Sequence, residues 1–167
     1  MKSLAELEET LREYHKRTGA THYHSSKSVL PILMDIKRRM RDEDQCFLSK
    51  AHAVTAYMLI FEKLPEKPPT SGPFCSLGMA LPFAIGVAIA KPDSTIYVVC
   101  GDGELQEGAN LEALYAIPRL GIKNLEVWVD DNGQQAMMFT PPLVLPKMRW
   151  IKTYKGLHWD CHYKNPE

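Results

Sequence analysis

STIYVVCGDGE, residues 94–104, joins an apolar run to a turn in which two glycines flank an aspartate. We predict a strand over Ser94 to Cys100, ending at Gly101. Small residues at this point let the backbone approach a diphosphate closely and turn into the next helix. An ordinary turn explains GDG alone equally well, because Gly and Asp are common turn residues.

A second strand, Leu125 to Val129, is followed by Asp-Asp-Asn-Gly and so ends close to Asn132. If the two strands are parallel neighbours, Asp102 and Asn132 meet at the carboxyl edge of the sheet, where open α/β sheets bind ligands. Carboxylate and amide oxygens suit Mg²⁺, which is usually held by a few protein oxygens and the phosphates of a bound molecule. The pair therefore predicts half of a magnesium site.

Helical and strand patterns alternate along the whole chain, which predicts an α/β fold: a three-layer parallel sheet with helices on both faces. We expect an irregular, proline-rich connection over 64–73. The predicted helices are Leu4 to Arg17, Val29 to Arg41, Ala51 to Lys63, Leu77 to Ala90 and Gly108 to Arg119, and the predicted strands are Cys46 to Leu48, Ser94 to Cys100, Leu125 to Val129 and Arg149 to Lys152.

Length, charge and cysteine content indicate the number of domains, the partners that are not expected and the compartment. At 167 residues we expect one domain over 1–167. The 20 basic and 20 acidic side chains cancel, which gives no electrostatic case for nucleic acid or an anionic membrane as partner. The apolar run from Met79 to Ala90 is too short to span a bilayer. Four scattered cysteines without metal-ligand spacing are interpreted as reduced thiols of a cytoplasmic protein.

Five segments resemble the transketolase family, in that family's order. GDGELQEG and the following stretch to DDNGQQ, residues 101–135, are similar to its thiamine-diphosphate-binding segment. Residues 19–33 resemble its GASH segment, FLSKAHA at 47–53 its LSKGHA motif, and CSLG at 75–78 its GSLG motif. KTYKG at 152–156, followed by His162, resembles the family's KTxKG motif and the histidine after it. Several motifs in one order are more specific than any single one.

The resemblance implies the N-terminal, pyrophosphate-binding domain of a thiamine-diphosphate enzyme. It implies Mg²⁺ held by Asp102, Asn132 and the main-chain carbonyl of Gln134. Glu107 corresponds to an acidic residue near the site, although a helix-start charge explains it nearly as well. The full implied set of cofactor-binding residues is Ser76, Leu77, Gly78, Gly101, Asp102, Gly103, Glu104, Glu107 and Asn132.

Three histidines are candidate catalytic residues, because imidazole exchanges protons near neutral pH. His22 and His52 correspond to family positions that face the substrate and the reactive end of the cofactor. His162 corresponds less securely to a third, and His158 competes for that position. The cofactor of this family carries the difficult chemistry, and a two-carbon ketol unit passes from a ketose to an aldehyde.

No part of the chain resembles the family's pyrimidine-binding domain, which supplies a Glu that activates the cofactor. We therefore expect a second transketolase-like chain as partner, in an α₂β₂ assembly. A sugar or keto compound would be the substrate. Departures from the family pattern, with His24, Ala51 and Cys75 in place of glycines, leave open a noncatalytic binding or regulatory subunit. A further alternative keeps the thiamine chemistry and changes the reaction, as in a 2-oxo acid decarboxylase or carboligase subunit.

A domain separated from its mate should expose an apolar face for association. We expect this face on the helix from Leu77 to Ala90 and on the segment from Leu111 to Ile117. A charge at Ala84 would disrupt assembly if the helix is external and folding if it is internal.

Overall fold

The computed structural model describes residues 2–20, 22–49, 53–62 and 77–132, together with the backbone of 151–155. Helices and strands alternate through these ranges, as the sequence predicts. The helices are α1 (Leu4–Thr18), α2 (Tyr23–Ser28), α3 (Leu30–Arg39), α4 (Ala53–Phe61), α5 (Ala80–Ala90) and α6 (Gly108–Arg119), and the strands are β1 (Gln45–Leu48), β2 (Ile96–Gly101), β3 (Leu125–Asp131) and β4 (Ile151–Lys155).

The four strands form one parallel sheet in the order β1-β2-β3-β4. Leu48 is paired with Val99 and Gly101 with Asp130. Since the strands all run in one direction, their carboxyl ends lie along a single edge. We call this the carboxyl edge.

Both faces of the sheet are buried beneath helices. Tyr97 and Val99 of β2 pack in an apolar cluster with side chains of α1, α3 and α4. Their alternate neighbours Val98 and Cys100 pack in a second cluster with side chains of α5 and α6. Side chains of a strand alternate between faces, so one continuous apolar run serves both layers. The three-layer α/β prediction is confirmed.

Two regions differ most from the sequence-based prediction, and the other helix ends within the described residues differ by no more than two residues. The chain forms a separate short helix, α2, before α3 begins at Leu30, whereas the pattern predicted one helix from Val29. Helix α5 begins at Ala80 instead of Leu77, because Gly78 has a left-handed φ of 86° that an α-helix does not accommodate. The predicted irregular segment 64–73 lies outside the described residues.

Helix α5 is apolar on every side. Ala84 is fully buried against the sheet, so it is internal, and a charge there would report on folding. The exposed apolar side chains nearby are Met79 and Ile89 at the two ends of α5, with Leu111 and Tyr115 on α6. Among the residues that the structure describes, no helix has the length and hydropathy needed to cross a membrane.

Candidate functional site

Three neighbouring strands deliver polar side chains to the carboxyl edge. Ser49 follows β1, Asp102 follows β2 and Asn132 follows β3. The backbone stays paired up to this point, because the Ser49 N–H donates to the carbonyl oxygen of Val99 at 3.0 Å and the Asp102 N–H donates to that of Asp130 at 3.2 Å. Neighbouring strands lie about 4.8 Å apart. The predicted ligands Asp102 and Asn132 therefore lie on adjacent strand ends, one position out of register.

The GDG turn buries Asp102. Its side chain is 1% exposed, and its Oδ1 accepts the N–H of Gly103 at 2.9 Å. A single 3₁₀ turn, Glu104–Gln106, then leads into α6 at Gly108. The hydrogen bond fixes the carboxylate within its own turn, at the point where the chain leaves the sheet.

Glu104 connects three segments around this turn. Its Oε1 accepts hydrogen bonds from the Ser49 hydroxyl and, at 3.0 Å, from the N–H of Gly78. Its carbonyl oxygen accepts the Nδ2 of Asn110 at 2.7 Å, which attaches the turn to α6. The residue was predicted to bind cofactor; in the structure its buried side chain joins the end of β1 to the loop before α5.

Gly78 packs closely against the start of α6. With φ of 86° it occupies the left-handed region, and a Cβ placed on it would lie 3.0 Å from the Cβ of Glu107. Glu107 is the N-cap residue of α6, and its side chain makes no capping hydrogen bond. Leu77 is exposed beside them. The structure thus brings Leu77, Gly78, Glu104 and Glu107 together, while the predicted Ser76 lies outside the described residues.

The side chain of Asn132 is hydrogen-bonded to residues of β3 and α2. Its Nδ2 donates to Asp130 Oδ2 at 3.0 Å and to Ser28 Oγ at 3.1 Å. The Ser28 hydroxyl donates to the same Asp130 oxygen at 2.7 Å. Ser28 and Asp130 were absent from the predicted site. A carboxylate at the end of a strand gives no sequence signal of burial, and no local pattern pairs residues 102 positions apart.

The structure locates one of the three candidate histidines. His22 is an exposed residue that precedes α2, with a left-handed φ of 64°, and its carbonyl oxygen accepts the Ser26 N–H at 3.1 Å. Ser28, the last residue of the same helix, contacts Asn132. At a rise of 1.5 Å per residue, His22 therefore lies about 9 Å from Ser28 along the helix axis. His52 and His162 lie outside the described residues.

The groups with clearly shifted pKa values lie away from the carboxyl edge. Burial raises the pKa of Tyr97, in the middle of β2, to about 12. Burial would also raise the pKa of Asp44, before β1, but hydrogen bonds from Arg41 and from the Thr95 N–H outweigh it and lower that pKa. Tyr97 and Asp44 therefore belong to the scaffold and not to the candidate site.

The donor set fits a magnesium diphosphate. Among the described residues no group of three or more His, Cys, Asp and Glu side chains is arranged to hold a metal ion. Mg²⁺ needs no such group, since it commonly takes one or two carboxylates and completes its octahedron with phosphates and water. Asp102 and Asn132 supply one carboxylate and one amide at adjacent strand ends. The third predicted ligand, the carbonyl of Gln134, lies outside the described residues.

Comparison with known proteins shows the family and the fold. The family described as "Thiamine pyrophosphate enzyme, C-terminal TPP binding domain" matches residues 50–156. A thiamin diphosphate-dependent enzyme from Mycobacterium smegmatis has the same fold over 70% of this chain and 23% of its own, with a TM-score of 0.51 and 19% identity.

Two curated relatives match shorter parts of the chain. The 1-deoxy-D-xylulose-5-phosphate synthase of Fusobacterium nucleatum is 46% identical over 55 residues, or 33% of this chain. One subunit of the apulose-4-phosphate transketolase of Actinobacillus succinogenes is 41% identical over 73 residues, or 41% of this chain. The chain spans 9% and 26% of the length of these relatives.

Proposed function

Since the chain belongs to the C-terminal TPP binding domain family of thiamine pyrophosphate enzymes, we propose that it is the diphosphate- and Mg²⁺-binding subunit of a split transketolase-like enzyme. The enzyme transfers a two-carbon ketol unit from a ketose to an aldehyde. The observation that supports the proposal is that Asp102 and Asn132 follow neighbouring parallel strands, while Gly78 is hydrogen-bonded to Glu104, two residues after Asp102. The relative named as one subunit of a transketolase supports the split organisation.

The position of the domain in the whole enzyme is also part of the proposal. The matching family is named for a C-terminal domain, so the N-terminal position expected from the sequence is not confirmed. We propose that this chain is the pyrophosphate-binding half in either case. A partner chain would supply the pyrimidine-binding domain and the activating Glu, in an α₂β₂ assembly.

This chain's residues would bind and orient the cofactor. Asp102 and Asn132 would hold Mg²⁺ on the diphosphate, and the main chain around Gly78 and Gly103 would pack against it. Thiamine diphosphate, when bound, stabilises the carbanion that ketol transfer requires. His22 would exchange a proton with a substrate hydroxyl group, as would His52 and His162 if they face the same cleft.

Binding is tested with the full chain and any partner that co-purifies with it. Titration calorimetry with Mg²⁺ and thiamine diphosphate should detect a complex that Asp102→Ala and Asn132→Ala abolish. Asp42→Ala is the matched control, because it removes an exposed carboxylate before β1, at the opposite edge of the sheet. Equal binding by all four proteins would overturn the assigned site.

Native mass spectrometry and activity assays test the split enzyme. We expect a complex that contains a second chain and cofactor, with ketol transfer lost when the partner is removed and restored on mixing. Transfer by the isolated chain would contradict the need for a partner. A complex that binds cofactor and turns over neither ketoses nor pyruvate would favour the noncatalytic alternative.

A carboligase is the second candidate function. One relative is named as a 1-deoxy-D-xylulose-5-phosphate synthase and not as a transketolase. Pyruvate and ketose donors should therefore be compared with the same complex and acceptor. Turnover with pyruvate alone would replace the transketolase assignment with a 2-oxo acid decarboxylase or carboligase.

A further inference from the structure

A buried carboxylate beside the candidate metal ligand has no part in the donor set. Asp130 is 1% exposed and lies in β3, two residues before Asn132, which follows the strand. Burying a carboxylate is costly unless it is hydrogen-bonded. Asp130 Oδ2 accepts two hydrogen bonds, at 2.7 Å from the Ser28 hydroxyl and at 3.0 Å from the Asn132 amide.

The second of these bonds decides which end of the Asn132 amide faces the carboxyl edge. An asparagine side chain has an oxygen and an NH₂ group of nearly the same shape, so its orientation depends on its partners. An ionised carboxylate only accepts hydrogen bonds. The NH₂ group therefore turns toward Asp130, and Oδ1 turns away from it.

Ser28 alone does not fix this orientation, because a hydroxyl both donates and accepts. The hydroxyl proton has two acceptors within reach, Asp130 Oδ2 at 2.7 Å and the carbonyl oxygen of Ser25 at 3.1 Å, and the shorter contact is to Asp130. The oxygen of Ser28 is then left to accept from the Asn132 amide, at 3.1 Å. Ser28 and Asp130 thus select the same orientation of the amide.

We propose that Asp130, acting through Ser28 and directly, is a positioning residue that presents the amide oxygen of Asn132 to a divalent cation. The inference rests on the proposed cofactor binding. It assigns Asp130 a role without contact to metal or substrate. Partners of metal ligands commonly change metal affinity by about 10–100-fold when removed.

The test exchanges the two side chains. In Asp130→Asn the side chain at 130 can present either an oxygen or an NH₂ group, so it no longer requires the Asn132 amide to keep its oxygen toward the cation. In the double variant Asp130→Asn/Asn132→Asp the new carboxylate accepts a hydrogen bond from the new amide with one oxygen and keeps the other for the cation. Ser28→Ala and Ser26→Ala form a matched pair, because both serines are buried on α2 and only Ser28 contacts Asp130 and Asn132 through the bonds described.

Two measurements are made on the full chain with any co-purifying partner: Mg²⁺ affinity in the presence of thiamine diphosphate, by calorimetry, and the thermal midpoint of the ligand-free protein. We expect Asp130→Asn to weaken Mg²⁺ binding about 10–100-fold and the double variant to restore it. Ser28→Ala should weaken binding and Ser26→Ala should not.

Wild-type affinity in Asp130→Asn would overturn the positioning role. So would a double variant with a wild-type thermal midpoint and no recovery of affinity. If Asp130→Asn does not fold, the serine pair decides: equal affinities for Ser28→Ala and Ser26→Ala would overturn the role. Absence of binding by the wild-type protein would overturn the proposed function itself, and that outcome is distinct from the others.

Discussion

Replacing Gly78 with alanine should destabilise the protein more than the same change at another left-handed glycine. An L-residue in the left-handed region costs about 1–2 kcal/mol. At Gly78 the new Cβ would also lie 3.0 Å from the Glu107 Cβ, inside the optimum of about 3.5–4.0 Å for two carbons. Overpacking of this kind costs about 1–3 kcal/mol. The expected loss of unfolding free energy is therefore about 2–5 kcal/mol.

Gly121→Ala is the matched control. Gly121 has a φ of 65°, and a Cβ there would meet nothing within 4 Å. It should lose only the backbone cost of about 1–2 kcal/mol. Urea unfolding followed by circular dichroism measures both variants, and the difference between them isolates the steric contribution.

A double-mutant cycle identifies the clashing atom. Glu107→Gly removes the Cβ that opposes residue 78, and glycine is acceptable at an N-cap. The second change should therefore recover about 1–3 kcal/mol in the Gly78→Ala background, beyond its effect alone. Equal losses in Gly78→Ala and Gly121→Ala, or additive effects in the cycle, would refute the reasoning.

Three further predictions concern the scaffold. Ala84→Asp should prevent folding because it places an unpaired charge in a fully buried position, whereas Ile89→Asp, at an exposed position of the same helix, should leave the circular dichroism spectrum and soluble yield unchanged. The pKa of Asp44 in the folded protein lies below the ordinary aspartate value of 3.8, so the stability that Asp44 contributes should be lost as the pH falls through that value and below. The free energy of unfolding should therefore fall less steeply with acid in Asp44→Asn than in the wild-type protein. Identical pH profiles would contradict this. Asn124→Ala should lower the free energy of unfolding in urea by about 1–3 kcal/mol. The Nδ2 of Asn124 lies within 3.1 Å of three carbonyl oxygens in the turn between α5 and β2, and these would lose their donor. An unchanged unfolding midpoint would contradict this prediction.

Local patterns in the sequence were sufficient for the sheet and for the positions of Asp102 and Asn132 at its carboxyl edge. The apolar runs of β2 and β3 are followed by Asp102 and Asn132. Because the two strands are parallel neighbours, both residues lie at the same edge of the sheet. Helix α6 has the predicted bounds because its apolar spacing begins directly after the GDG turn and ends at Arg119.

Features that depend on tertiary contacts were not predicted. Helix α2 reads YHSSKS and has no apolar periodicity, so only its packing against neighbouring helices reveals it. The beginning of α5 was placed too early because the local pattern does not indicate the left-handed backbone of Gly78, whose N–H is hydrogen-bonded to Glu104. Asp130 resembles a surface residue in sequence, and Ser28, which contacts it, is far away along the chain.

The sequence separation of these contacts has a consequence for folding kinetics. Strands β2 and β3 are connected by one turn and one helix, whereas the Ser28–Asp130 contact joins positions 102 residues apart. Contacts between distant residues pay a larger loop-closure entropy and tend to form late. We expect amides of β2 and β3 to gain protection from hydrogen exchange before those of α2, so a newly made chain completes its binding edge as one of its last folding events.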